Sequence, residues 1–88
     1  MIDFSHANSA KQFKRQLEVC RDVSSQISNG NQKIFGVMVE SNIVEGQQKV
    51  VKDQPLVYGQ SITDGCIGWE DTKTILNDLA QAVISRRN

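Results

Sequence analysis

The sequence has no excess of charge of either sign, because its 10 basic residues balance its 10 acidic residues. Nucleic-acid-binding domains usually carry a basic patch, and the scattered basic residues here argue against that class. No apolar run approaches the length of a membrane span. The N-terminus has neither a basic region nor a cleavage pattern, so we expect no export and a cytoplasmic protein.

Cysteine is also scarce. Cys20 and Cys66 lack the spacing of a zinc site or a redox motif, which predicts two free thiols in a reducing compartment. The Gly-rich phosphate loop, the His-Glu-x-x-His helix and the Gly-x-Ser-x-Gly elbow are all absent. The sequence therefore contains no local catalytic motif, and any site must be built from residues distant in the chain.

The first periodic segment predicts a helix over about residues 10–28. Ser9 and Gln12 form a capping-box pattern at its start, and the pair Asn29 and Gly30 is typical of a helix end. Its apolar residues recur at helical spacing, and they are Phe13, Leu17, Cys20, Val23 and Ile27.

Apolar runs on either side of this helix predict strands. The chain starts abruptly inside the first apolar run, at residues 1–6. Residues 34–39 form a second, continuous apolar run that ends at Glu40. Continuous apolar runs are typical of parallel strands that are buried on both faces. A strand, a helix and a second parallel strand make a βαβ unit.

A long polar stretch over residues 41–66 follows, within which residues 49–51 and 56–58 could pair as a hairpin. The last helix is predicted to begin near Gly68 and Trp69. Its apolar face is formed by Ile75, Leu76, Leu79 and Val83. Two parallel strands cannot complete an α/β domain, so residues 1–88 read as one piece of a larger protein with further strands upstream.

Three polar residues lie where sites form in parallel α/β proteins, at the carboxyl ends of strands and in the loops that follow. His6 closes the first strand, Glu40 closes the second, and Asp64 precedes the last helix. Because side chains alternate along a strand, His6 should share a face with Phe4, and His6 and Glu40 would converge at a barrel mouth. An imidazole and two carboxylates suit a divalent transition metal.

Each of these residues also has a purely structural interpretation. A histidine at a strand end is often a hydrogen-bonded structural residue, and Glu40 could mark where the strand reaches water. Asp64 is a common turn residue, and Trp69 could simply pack beneath the last helix. The pattern alone leaves both interpretations open.

Three segments together resemble the type I DAHP synthases, namely residues 3–9 (DFSHANS), 36–41 (GVMVES) and 60–70 (QSITDGCIGWE). They occur in the order and spacing of that family, and the resemblance covers essentially all 88 residues. The related ketodeoxyoctonate-phosphate synthases share the barrel but match these segments less well. The chain thus resembles the C-terminal portion of a DAHP synthase.

The resemblance implies a (β/α)8 TIM barrel, of which this chain would be the last two βα units. It implies a transferase that condenses phosphoenolpyruvate with erythrose 4-phosphate, the first step of the shikimate pathway to aromatic amino acids. The family holds a divalent metal with Cys, His, Glu and Asp, and the last three correspond to His6, Glu40 and Asp64. The resemblance also implies that His6 and Asp64 are catalytic and bind substrate. The metal could be Mn, Fe, Zn, Co or Cu. The Cys ligand and the phosphate-binding Arg and Lys residues belong to earlier strands.

Two other functions stay open, a non-catalytic fragment that associates with itself or with the missing part, and a small metabolite-binding α/β module. The match over the whole length argues against the module. The isolated chain is predicted to be inactive, because the implied Cys ligand and phosphate-binding cations lie outside it. It is also predicted to form a homo-oligomer, because two parallel strands leave two unpaired edges.

Overall fold

The computed structural model describes all 88 residues and contains two long helices and two short parallel sheets. The strands are β1 (Ile2–Asp3), β2 (Val37–Met38), β3 (Val44–Gln47) and β4 (Gln60–Ser61). The helices are α1 (Gln16–Ser28), which a 3-10 turn over Phe13–Arg15 precedes, and α2 (Trp69–Arg87). Neither helix has the length and apolar composition that crossing a membrane requires.

The first sheet is formed by the two strands that flank α1 in the sequence. β1 pairs in parallel with β2, with Ile2 opposite Val37 and Asp3 opposite Met38. The last bond of this ladder runs from the Phe4 N–H to the Met38 carbonyl at 2.9 Å. The pairing is much shorter than the two apolar runs, and it brings the segments that carry His6 and Glu40 side by side.

The core lies between the two helices and the first sheet. Eight buried side chains form it, and they are Phe4, Cys20, Val23, Ile27, Ile34, Ile67, Ile75 and Ala82. Full burial of a large apolar side chain contributes roughly 1.5–3 kcal/mol, so this cluster fixes α1 and α2 against the sheet. The predicted end of α1 at Ser28 is confirmed, with Gly30 at a φ of 99° after it, and so is the predicted start of α2.

The predicted start of α1 is wrong. Ser9 does not cap the helix, because its side chain is buried and its hydroxyl donates to the His6 carbonyl at 3.3 Å. Ala10 and Lys11 have φ angles of 53° and 60°, in the left-handed region that a right-handed helix does not contain. The Lys11 N–H donates to the His6 carbonyl at 2.7 Å. Helical turns begin only after Gln12, because the preceding backbone forms this turn instead.

The predicted hairpin is also wrong. Residues 49–51 and 56–58 form no strand and are exposed. The Gln48 side chain occupies the backbone groups that a hairpin would pair, since its amide donates to the Val57 carbonyl at 2.8 Å and accepts from the Val57 N–H at 2.9 Å. The second sheet is instead formed by β3 and β4, which are parallel and begin with Val44 opposite Gln60.

Several apolar residues that the sequence places in a core are exposed. Ile34 is buried, but Phe35 is 84% exposed and the residues of β2 are only half-buried. In α2, Ile75 is buried whereas Leu76 is 57% exposed. Only one neighbouring strand and two helices are available to cover residues 34–39, so the run is left partly open, in line with the prediction that two parallel strands cannot complete an α/β domain.

Candidate metal centre

His6, Glu40 and Asp64 come together beyond the carboxyl ends of the strands of the first sheet, each on a different segment. Their ligand atoms all lie within 4.8 Å of one another. The His6 Nε2 atom is 2.8 Å from a Glu40 carboxylate oxygen and 3.8 Å from an Asp64 carboxylate oxygen. Residues 34 and 24 positions apart in the sequence thus form one compact cluster.

The backbone at His6 is what turns its ring toward this cluster. β1 ends at Asp3, and Phe4 is completely buried, whereas the His6 side chain is 51% exposed. His6 has a φ of 49°, a left-handed conformation that is uncommon outside glycine and concentrated at functional sites. The prediction that His6 shares a strand face with Phe4 is therefore wrong, because a turn and not strand alternation orients the ring.

Asp3 holds the opposite side of the imidazole. Its carboxylate lies 2.8 Å from His6 Nδ1 and also accepts a hydrogen bond from the Ser5 N–H at 2.7 Å. When the Nδ1–H group donates a hydrogen bond to this carboxylate, the lone pair of Nε2 points at Glu40 and Asp64. Ligating histidines are commonly fixed by a carboxylate in this way, which sets the tautomer and the ring orientation.

The cluster lines a cavity of about 290 Å³ that has no apolar residue in its wall. The lining consists of Ser5, His6, Lys11, Glu40, Gln47, Asp64 and Gly65. Glu40 is the most buried ligand candidate, with 15% of its side chain exposed, whereas 71% of Asp64 is exposed. The donor set of one imidazole nitrogen and two carboxylates fits a divalent transition metal and leaves positions for further ligands.

Charge at the cluster favours a protonated imidazole when no cation is bound. The hydrogen bond to Asp3 is the main reason that the pKa of His6 lies above its ordinary value, and the nearby Glu40 charge adds to this. The same hydrogen bond lowers the pKa of Asp3. A raised histidine pKa stabilises the folded chain below the ordinary pKa, and this contribution disappears as the pH rises through the raised value.

The titration of His6 can be measured without ambiguity because it is the only histidine. In metal-free chain, the imidazole proton shifts should titrate above the ordinary value of about 6.5. Asp3→Asn should move the midpoint down, since the amide cannot stabilise the imidazolium as a carboxylate does. Asp53→Asn, a substitution of another carboxylate, should leave the midpoint in place. An Asp3→Asn midpoint equal to that of the unsubstituted chain would contradict the pairing.

Two contacts at the site were not predicted from the sequence. Asp3 stands three residues before His6, a spacing that a turn brings into contact. Gln16 is a polar residue on the apolar face that carries Phe13 and Cys20, and this interruption of the pattern is the signal that could have drawn attention to it.

Both cysteines are free, as predicted, and burial raises the pKa of each thiol.

Comparison with known proteins decides the family. Residues 1–77 match the profile of the DAHP synthetase I family. The chain belongs to the DAHP synthetase I family. The prediction from the three segments is therefore confirmed at the level of the family.

Relatives of this family are similar along the whole chain. It is 62% identical over 87 residues to the Phe-sensitive phospho-2-dehydro-3-deoxyheptonate aldolase of Escherichia coli strain K12, covering 99% of this chain and 25% of that protein. Identity to the Haemophilus influenzae phospho-2-dehydro-3-deoxyheptonate aldolase is 60% over 87 residues, covering 99% of this chain and 24% of that protein. The chain spans about a quarter of the length of these curated relatives.

A solved structure supports the same assignment. The phospho-2-dehydro-3-deoxyheptonate aldolase of Francisella tularensis SCHU S4 superposes with a TM-score of 0.90 at 46% identity, covering 99% of this chain and 25% of that one. The helices and strands described above are thus arranged as in part of that aldolase structure.

Proposed function

We propose that this chain is part of a metal-dependent DAHP synthase that condenses phosphoenolpyruvate with erythrose 4-phosphate and releases phosphate. The observation that carries the proposal is the cluster of His6, Glu40 and Asp64, in a chain of this family. The chain would supply the last two βα units of a (β/α)8 barrel, whose sites form at the carboxyl ends of the strands.

The three clustered residues would hold a divalent cation together with a cysteine from another part of the enzyme. The resemblance to the type I DAHP synthases implies that fourth ligand. Cys20 is buried in the helical core, and Cys66 lies outside the family's cysteine motif, so neither is assigned to the metal. The donor set suits Mn, Fe, Zn, Co or Cu alike, since all accept imidazole, carboxylate and thiolate ligands.

The bound cation would act as a Lewis acid that polarises the aldehyde of erythrose 4-phosphate. Within this chain, the hydrogen bond to Asp3 holds the proton on His6 Nδ1, so that Nε2 stays available to ligate the cation. Glu40 supplies the more buried negative charge. Asp64 lies on the open side, where its second oxygen can meet the aldehyde substrate, and His6 would border the phosphoenolpyruvate site.

Binding two phosphorylated substrates needs several cations. Lys11 is the only lysine or arginine in the wall of the cavity. The other phosphate-binding cations would therefore come from the remainder of the enzyme, as the resemblance implies. We expect the enzyme to act in the cytoplasm and to assemble from identical subunits.

A hybrid enzyme tests this function directly. In it, these 88 residues replace the matching segment of the Escherichia coli Phe-sensitive relative. The hybrid should release phosphate only when both substrates are present, and a chelator should abolish the release. A hybrid carrying Asp64→Asn should lose most of this activity. A folded hybrid without substrate-dependent phosphate release, beside an active parent, would contradict the proposal.

A further inference from the structure

Gln16 is a completely buried polar side chain at the start of α1. It lies on the same helix face as Phe13 and Cys20, where the pattern otherwise places apolar residues. Burial of a primary amide is unfavourable unless its groups form hydrogen bonds, so the partners of the amide indicate its role.

Both ends of the Gln16 amide bind the backbone of one residue, Glu40. The Gln16 Oε1 atom accepts from the Glu40 N–H at 2.9 Å, and Nε2 donates to the Glu40 carbonyl at 2.9 Å. The β1–β2 ladder has already ended at the bond from Phe4 to Met38. Gln16 therefore makes the pair of hydrogen bonds that a neighbouring strand would otherwise provide.

The other support of the Glu40 backbone comes from the segment that carries Asp64. The Glu40 carbonyl also accepts from the Ile67 N–H at 3.0 Å, and the Ile67 carbonyl accepts from the Asn42 N–H at 2.9 Å. The Glu40 N–H, in contrast, is bound by Gln16 alone among these contacts. Removing the Gln16 amide would leave this N–H unpaired in a partly buried position.

We propose that Gln16 is a positioning residue that fixes the backbone of Glu40 so that its carboxylate meets His6 and the cation. This inference rests on the proposed function. Ligand distances in a metal site are held to about 0.2 Å, so a small displacement of the Glu40 backbone removes one donor from reach. Outer contacts of this kind usually act on the ligand side chain, whereas Gln16 acts on the main chain.

Substitution of Gln16 in the hybrid enzyme tests the inference with Mn²⁺ alone as the probe. Gln16→Met keeps the length of the side chain but forms neither hydrogen bond. Gln16→Asn keeps the amide but is one methylene too short to span both backbone groups. Titration calorimetry should show Mn²⁺ affinity about 10- to 100-fold weaker in both variants, as expected for loss of an outer-shell contact.

Ile27→Ala is the matched control because Ile27 is buried on the same helix, near its opposite end. It should lower the melting temperature without changing Mn²⁺ affinity. If a loss of stability alone weakened Mn²⁺ binding, the Gln16 variants and this control would show the same loss of affinity. Should Gln16→Met not fold, Gln16→Asn supplies the comparison. Unchanged Mn²⁺ affinity in a folded Gln16 variant would overturn this inference alone. A hybrid that, before any Gln16 substitution, binds no Mn²⁺ and releases no phosphate from the two substrates would overturn it together with the proposed function.

Discussion

Replacing Glu40 with glutamine in the hybrid enzyme should remove most of the bound metal and most of the activity. Glutamine matches glutamate in size, so the packing beside His6 is preserved while the anionic donor is lost. Loss of an outer-shell partner typically costs about 10- to 100-fold in metal affinity or activity, and loss of a direct ligand should cost more. Metal content by elemental analysis and phosphate release at saturating substrates are the two measurements.

Glu45→Gln provides the control for the Glu40 substitution. It makes the same change of charge on β3, where Glu45 pairs with Lys14 at 2.9 Å and takes no part in the cluster. That variant should keep its metal and its rate. Normal metal stoichiometry and a normal rate in Glu40→Gln would exclude Glu40 as a ligand.

The second large effect concerns the 88-residue chain by itself, which we expect to be inactive and to form dimers or larger assemblies. The cysteine ligand and most of the phosphate-binding cations that the family resemblance implies are not among its residues. Phe35, just before β2, is 84% exposed, and each two-stranded sheet has unpaired edges that can template another chain. Pairing of edges or exchange of elements between copies would cover both features.

Light scattering of the purified chain should give at least twice the monomer mass, and no phosphate should be released from the two substrates. Phe35→Ser should shift the distribution toward monomer because it removes a large apolar side chain beside the sheet. Tyr58 is at least as exposed as Phe35 but lies in the irregular segment before β4, so Tyr58→Ser should shift the distribution less. A stable folded monomer would exclude association, and metal-dependent phosphate release would exclude inactivity.

Local signals in the sequence correctly predicted those helix ends that neighbouring residues determine. The end of α1 followed from Asn29 and Gly30, and the start of α2 followed from Gly68 and the acidic residues after it. The start of α1 could not be predicted in this way. Ser9 has the residue type of a cap, but the turn that begins at His6 uses its hydroxyl and places Lys11 in a left-handed conformation.

The sequence by itself determined the family, through three segments in one order, and it named His6, Glu40 and Asp64 as candidate ligands because all three follow strands or precede the last helix. Their role as ligands stays a prediction. Only the tertiary structure decided how the cluster is held. Asp3 reaches His6 because the backbone turns sharply after β1, and Gln16 reaches Glu40 across 24 residues because α1 packs against the sheet. Periodicity and capping patterns depend on residues within a few positions, whereas such contacts depend on how whole elements pack, which no local pattern encodes.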